Sequence, residues 1–185
     1  MPSAVTDGRR QRGDASRRAL LAAASQVIVA DGVDALTHRS VAEAAGVPLA
    51  RVSYHYPKID DLLFAAATDY LEAFDDRLRT IAETARAGRR SIVDACTDFL
   101  FELVTERSAE FLGMVEVRLA LHRRGRTVDE LGAVAIIRSF GADQRRAQSI
   151  VAAMFGFAVL AATAPDTVKR SQVRTYVRSI LGGLT

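Results

Sequence analysis

Residues 37–56 of the chain read THRSVAEAAGVPLARVSYHY, a stretch that indicates two short helices joined by a tight turn. Thr37 is a good cap for the first helix, whose apolar residues recur at spacings of three and four and predict a buried face. Gly46 suits the turn, and Pro48 can begin the second helix because the first N–H groups of a helix have no partner within it. Two helices packed in this way are typical of a helix-turn-helix, whose second helix fits the major groove of DNA, although such a pair also occurs as plain core.

The remainder of the 185 residues has the same helical character. Ala, Leu, Arg and Glu recur, whereas Pro occurs only 4 times, and this balance favours helices over strands. Apolar periodicity with Gly and Pro breaks predicts an all-α chain of about nine helices. Their expected bounds are about 14–30, 38–45, 48–55, 58–87, 91–106, 109–123, 128–140, 143–164 and 167–182.

Composition excludes several classes of protein. The single cysteine, Cys96, cannot form an intrachain disulfide, so a disulfide-stapled secreted protein is excluded. No apolar segment follows the Arg-rich N-terminus, which argues against a signal peptide. The longest apolar run, Ile150–Ala164, is shorter than the roughly 20 residues that cross a bilayer, and we interpret it as a fully buried helix. A cytoplasmic protein without a membrane partner is expected.

Positive charge is concentrated at the N-terminus. The formal net charge is only +3, but five arginines fall within the first eighteen residues: Arg9, Arg10, Arg12, Arg17 and Arg18. Residues 1–13 lack an apolar period and are predicted to form a disordered basic arm, with Asp14 capping the first helix. The arm has two open interpretations, a solvated tail or a DNA-contacting segment in which Arg9, Arg10 and Arg12 meet the backbone or the minor groove.

The helix-turn-helix supplies the candidate DNA-binding residues. Residues at the start of a recognition helix meet base edges, and Arg51 is the long polar side chain there, suited to the O6 and N7 atoms of guanine. Hydroxyl, imidazole and ammonium groups further on suit phosphates, which position the helix without specifying sequence. The full set is Thr37, His38 and Arg39 on the first helix, then Pro48, Leu49, Ala50, Arg51, Ser53, Tyr54, His55 and Lys58.

Several landmarks in register resemble the N-terminal domain of the TetR (tetracycline-repressor) family of transcriptional regulators. They are Asp-Gly-Val at 31–33, Leu-Thr at 36–37, Val-Ala-Glu-Ala-Ala-Gly-Val at 41–47, Tyr-His-Tyr-Pro at 54–57 and Asp-Asp-Leu-Leu at 60–63. The resemblance covers residues 16–64; beyond them, only a string of helices of suitable length matches. It implies a DNA-binding transcriptional regulator, with repression as the commoner mode.

Two positions depart from the family pattern. Ser53 stands where the family usually has a phosphate-contacting Tyr, and Ile59 stands where a Lys usually opens the fourth helix. Lys58, one residue earlier, is a candidate replacement for that Lys, aided by the helix N-terminus. Lower DNA affinity is the expected consequence of both changes.

The resemblance also implies the organisation of the rest of the chain. Residues 14–57 would form the DNA-binding domain, and residues 58–185 a ligand-binding and dimerisation domain in which helices four to seven enclose a small molecule. The last two helices would pair with a second subunit on a palindromic operator. Small residues of helix eight and the stripe Val173, Val177, Ile180 and Leu184 of helix nine suit that role, although the core of a monomer remains an alternative.

Candidate ligand contacts lie on helices five and six: Phe99, Leu103, Phe111, Met114, Val115, Arg118 and His122. Each apolar member is also a plausible plain core residue. Arg118 lies at helical spacing from Val115 and His122 and could anchor an anionic ligand. The competing interpretation is an arginine that extends to solvent or pairs with Glu116 or Asp98.

Two other classes of function compete with a DNA-binding regulator. The three histidines are scattered, no metal-ligand spacing or phosphate loop occurs, and adjacent residues such as Ser53 to His55 cannot face one another on a helix. We therefore expect no enzymatic activity, no metal and no cofactor. A helical protein-interaction module without sequence-specific DNA binding is the alternative that remains, and salt-sensitive binding to duplex DNA would separate the two.

Overall fold

A computed structural model describes residues 4–127 and 132–182, with side chains from Gly13 onward. These residues form nine α-helices joined by short turns, as the helical periodicity predicts. The helices are α1 (Ala4–Asp31), α2 (His38–Ala44), α3 (Leu49–His55), α4 (Ile59–Arg86), α5 (Ile92–Val104), α6 (Ser108–Arg123), α7 (Ala133–Arg138), α8 (Gln144–Ala162) and α9 (Arg170–Leu181).

The chain divides into two compact units. One comprises Met1–Tyr70 with Gly113–Val128, and the other comprises Leu71–Leu112 with Asp129–Thr185. The start of α4 and most of α6 belong to the same unit as the N-terminal helices, and the boundary at residues 57/58 stays a prediction about functional domains. One long helix can contribute its first turns to one core and its last turns to another, so a domain boundary drawn between helices misses this sharing.

The first unit has one hydrophobic core built by α1, α2, α3 and parts of α4 and α6. Amphipathic spacing places the largest side chains of each helix inward. The largest of the fully buried side chains are Leu20, Val41, Val52, Leu62, Leu63, Val117 and Leu121, each at most 1% exposed.

The first helix differs from its predicted extent. It begins at Ala4, so residues 4–13, expected as a disordered arm capped at Asp14, are helical. The segment contains no proline after residue 2, and its arginines and glutamine are good helix formers. The side chains of Arg9, Arg10 and Arg12 lie outside the described residues. The end of α1 is as predicted: Gly32 has a φ of +83°, and its amide donates to the Ile28 carbonyl at 3.0 Å.

In the second unit, α5 is the central helix and packs against α8 and α9. Val173, Val177 and Leu181 of α9 are at most 1% exposed. The predicted stripe on α9 is therefore directed largely into its own chain; Ile180 is half-buried, and Leu184 lies outside the described residues. Burial also raises the pKa of the Cys96 thiol, on α5, to about 12, so that it stays protonated at neutral pH.

The expectation that α8 is fully buried is wrong. Ala147, Ile150, Ala158 and Ala162 are buried, but Leu160 is 76% exposed. Because apolar residues occur on all sides of this helix, its sequence does not indicate which side packs against the core of its own chain. No helix in the described part of the chain is long and apolar enough to span a membrane.

Candidate functional site

The helix-turn-helix begins with a reciprocal cap on α2. The Thr37 hydroxyl accepts a hydrogen bond from the Ser40 amide at 3.0 Å, while the Ser40 hydroxyl accepts one from the Thr37 amide at 2.9 Å. This capping box satisfies two N–H groups that the helix leaves open. Thr37, predicted as a DNA contact, therefore has its hydroxyl engaged in fixing the start of α2.

The turn between α2 and α3 is closed by backbone hydrogen bonds. Gly46 has a φ of +62°, a conformation that glycine adopts without steric cost, and the Val47 amide donates to the Ala42 carbonyl at 3.0 Å. Pro48 was expected to be the first residue of α3. It instead precedes the helix in an extended conformation, with a ψ of 141°, and α3 begins at Leu49. The proline ring fixes the direction in which the chain enters the recognition helix.

His38 has a structural contact that its predicted role did not include. Its Nε2 lies 2.6 Å from the carbonyl oxygen of Tyr56, the residue that ends α3. Since a carbonyl only accepts, Nε2 carries the proton in this contact. His38 thus joins the start of α2 to the end of the recognition helix, and it is half-buried.

Replacing His38 by Ala is expected to lower the free energy of unfolding by about 1–2 kcal/mol, because it leaves the Tyr56 carbonyl without its partner. Urea denaturation followed by circular dichroism measures this loss. The neighbouring Arg39→Ala is the matched control, since Arg39 is exposed and should change stability by less than about 0.5 kcal/mol. Equal stability of the two variants would contradict the role given to His38.

The outward face of α3 is free of packing. Tyr54 is 83% exposed and Leu49 is 50% exposed, although both are large apolar side chains. Arg51 and Ser53 lie on the same exposed surface, while Val52 between them is fully buried. One side of α3 therefore anchors the helix, and the other presents an arginine, a hydroxyl, an aliphatic group and a phenol.

The structure places the predicted DNA contacts in two groups. Thr37 and His38 have structural contacts of their own, and His55 is half-buried with its ring edge-on to Tyr54 at 5.3 Å between centroids. The other members of the predicted set are exposed: Arg39, Pro48, Leu49, Ala50, Arg51, Ser53, Tyr54 and Lys58. The cations Arg39, Arg51 and Lys58 give this surface the charge that suits a phosphate backbone.

Arg17 is a contact that sequence reasoning did not place. Its guanidinium carbon lies 5.8 Å from the centroid of the Tyr56 ring, at the end of α3. Burial raises the pKa of the Tyr56 phenol above its usual value, against the opposing effect of the Arg17 charge. A basic residue of α1 thus lies beside the recognition helix, which charge counting along the sequence could not locate.

The predicted ligand contacts are distributed over both units. Phe99, Leu103 and Phe111 are buried in the second unit, where Phe99 meets Phe74 at 5.2 Å between ring centroids. In the first unit, Met114 is buried, Val115 and Arg118 are half-buried, and His122 is exposed.

Arg118 has one buried nitrogen that lacks a partner. Nη1 of Arg118 is buried and has no hydrogen-bond partner, and no other buried side-chain nitrogen or oxygen among the described residues lacks one. Asp98, one of the expected partners, forms ion pairs with Arg90 and Arg170. A buried N–H without an acceptor is unfavourable by about 1–3 kcal/mol, so the site favours an additional acceptor.

A cleft of about 400 Å³ lies between α4 and α5 in the second unit. Of the predicted ligand contacts, it includes only Phe99, over which the Arg77 guanidinium lies at 5.2 Å. Four of its charged groups form two ion pairs, Arg77 with Glu102 at 2.8 Å and Arg90 with Asp98. No group of metal-ligating side chains occurs among the described residues.

A family model described as bacterial regulatory proteins of the tetR family matches residues 20–66. These residues comprise the C-terminal part of α1, the capped pair α2 and α3, and the first turns of α4. This segment is therefore a DNA-binding domain of the tetR type. The predicted all-α fold and the resemblance of the N-terminal domain to tetR-family regulators are confirmed.

Solved structures support the fold along nearly the whole chain. The multidrug-binding protein EbrR in complex with ethidium is 24% identical, with a TM-score of 0.69 over 89% of this chain and 97% of its own. A tetR-family regulator from Streptomyces coelicolor is 22% identical, with a TM-score of 0.58 over 92% and 99%. NalD, the secondary repressor of the MexAB-OprM multidrug efflux pump in Pseudomonas aeruginosa, is 18% identical, with a TM-score of 0.56 over 92% of this chain and 95% of its own. No curated protein matches the chain by sequence.

Proposed function

We propose that this protein is a tetR-family repressor that binds a palindromic operator as a homodimer and is released from it by a small organic molecule. The observation that carries the proposal is the outer face of α3, where Arg51 and Tyr54 project from a helix whose inner side is fully buried at Val52. A recognition helix held in this way presents its side chains to base edges with little loss of conformational freedom.

Within this proposal, bases and phosphates are contacted by different residues. Arg51 pairs with guanine, and Leu49 packs against a thymine methyl group, as an apolar side chain in the major groove can. Tyr54, Ser53, Arg39 and Lys58 bind phosphates and set the register of the helix on the duplex. Ser53 is too short for the phosphate contact of the usual tyrosine, and Tyr54, whose side chain is 83% exposed, takes over that contact.

The support for a homodimer comes from α8. Ala152, Gly156 and Leu160 follow one another at spacings of four, so they share one face of the helix, and all three are exposed in the single chain. A Cβ added at Gly156 would meet nothing within 4 Å, so nothing in its own chain requires the glycine. Glycine costs a helix interior about 1 kcal/mol, a cost that close approach of a second α8 would offset.

The support for a ligand is the unpaired Nη1 of Arg118. An acceptor on a bound molecule would satisfy this buried nitrogen, so we propose an organic effector with an anionic or carbonyl group. Val115 and His122, three and four positions away on α6, would contact the same molecule. A cationic effector, of the kind that EbrR binds in its complex with ethidium, is the second candidate and rests on the shared fold.

Arg118→Ala is expected to weaken binding of the anionic aromatic probe anilinonaphthalene sulfonate about tenfold, while binding of ethidium stays the same. Fluorescence titration of both probes measures the two affinities. Arg123→Ala, at an exposed position on the same helix, is the control for loss of charge. Unchanged affinity for the anionic probe, or an equal change for both, would count against Arg118 as an anchor.

The experiment that tests the proposed function is selection of genomic DNA fragments by the purified protein. The expected result is enrichment of one palindromic sequence. The affinity for it should fall steeply as salt rises, because the lysine and arginine side chains of the protein displace counterions from the DNA phosphates. Enrichment of no sequence even at low salt would favour the helical interaction module instead.

A further inference from the structure

The segment that follows α6 is folded back against the start of α4. Gly125 has a φ of +69°, and the amide of Arg126 donates to the Leu121 carbonyl at 2.9 Å, so the chain turns sharply after the helix. Nη1 of Arg126 then donates to Oδ1 of Asp61 at 2.9 Å and to the carbonyl of Asp60 at 3.2 Å. All of these residues belong to the first unit.

Two further contacts fix the same helix end. The guanidinium carbon of Arg126 lies 4.4 Å from the centroid of the Phe64 ring, and Nε of Arg124 lies 3.4 Å from Oδ1 of Asp60. Arg126 thus contacts a carboxylate, a backbone carbonyl and an aromatic ring within the first two turns of α4. A planar guanidinium that makes three such contacts defines an orientation, which a single ion pair at the surface would not.

The first turn of α4 lies directly beside the recognition helix in the chain. Only residues 56–58 separate the end of α3 from the start of α4. Tyr56 is 5% exposed, and Leu62 and Leu63 are at most 1% exposed, so both sides of this connection are fixed in the core. A displacement of the α4 end would therefore move Lys58 and α3 as well.

We propose that Arg126 is a positioning residue for operator binding. It fixes the first turn of α4, and through this turn the orientation of α3 and of Lys58, without contacting DNA. The proposal rests on the proposed function and deepens it, because it makes specific DNA binding depend on a contact from the segment that follows α6. Specific binding needs the orientation of α3, whereas non-specific attraction to phosphates needs only the charges.

The test compares Arg126→Leu, Arg126→Lys, Asp61→Asn and the double variant Arg126→Leu/Asp61→Asn with the wild type. Arg123→Leu, which removes a charge from an exposed position on α6, is the matched control. Each protein is titrated on the selected operator and on a scrambled duplex at three salt concentrations. We expect Arg126→Leu to weaken operator binding about tenfold, with partial recovery in Arg126→Lys. Binding to the scrambled duplex and both salt slopes should match the control, and the double variant should be no better than Arg126→Leu.

Three results on DNA would overturn the proposal. Equal losses on both duplexes with a smaller salt slope would mean that Arg126 binds phosphate itself. Recovery of operator binding in the double variant would mean that the unpaired Asp61 charge repels DNA. An operator affinity equal to that of the control would mean that the contact has no effect on binding.

If the wild type selects no operator, the proposed function fails separately, and hydrogen exchange of the free protein decides the positioning role. Faster amide exchange at residues 56–64 in Arg126→Leu than in Arg123→Leu supports the proposal, because it shows that the contact holds this segment in place. Equal exchange in the two variants overturns it.

Discussion

Replacing Arg51 by Ala is expected to raise the dissociation constant for the operator at least about thirtyfold. One good pair between an arginine and a guanine contributes about 1–3 kcal/mol of discrimination, and a dimer on a palindrome loses two of them. Arg51 is exposed on α3, next to the buried Val52, so its removal leaves the core of the domain intact. Titration of the selected operator and of a scrambled duplex by fluorescence anisotropy measures the effect.

Lys58→Ala is the informative control for this prediction. Lys58 is exposed beside the start of α4, and its assigned partner is a phosphate, so its loss should weaken binding to both duplexes alike. The slope of the logarithm of the binding constant against the logarithm of the salt concentration should become less steep by about one for each subunit, since each subunit loses one phosphate contact. A loss on both duplexes in Arg51→Ala, of the same size as in Lys58→Ala, would contradict base recognition by Arg51.

Leu160→Glu is expected to convert the dimer to a monomer and to reduce operator affinity about a hundredfold or more. Leu160 is 76% exposed in the single chain, on the α8 face that also carries Ala152 and Gly156. A carboxylate buried there in each of two subunits would lose hydration without gaining a partner. A monomer then contacts one half-site only, which removes roughly half of the binding energy.

Sedimentation equilibrium measures this effect directly. The wild type should sediment at twice the 20.0 kDa mass of one chain, and Leu160→Glu at the mass of one chain. Val29→Glu is the matched control, since Val29 is an apolar residue of α1 that is 39% exposed and lies far from α8 in the sequence. A dimeric Leu160→Glu protein with wild-type affinity would place the subunit interface elsewhere.

The DNA-binding domain could be predicted from sequence because its signals are local. The Thr37 cap, the Gly46 turn and the end of α1 at Gly32 each depend on residues within one or two turns, and the structure has all three. The family resemblance added the function, since several short motifs fell in register. The start of α1 was missed because arginine and glutamine support a helix without any apolar period.

The parts that sequence could not provide depend on contacts between distant segments. The bond from His38 to Tyr56 spans 18 residues, and the contact from Arg126 to Asp61 spans 65. No spacing rule relates such positions. The exposure of α8 was also misjudged, because an apolar helix looks the same in sequence whether its second face meets its own core or another molecule.

The most direct test of the central claim is a hydroxyl-radical footprint of the protein on the selected operator. Two α3 helices in successive major grooves should protect two patches about 10 base pairs apart, related by the two-fold symmetry of the palindrome. Both patches should disappear together in Arg51→Ala at a protein concentration that saturates the wild-type complex. A single protected patch, or diffuse protection that does not depend on sequence, would contradict a dimeric regulator that recognises its operator through α3.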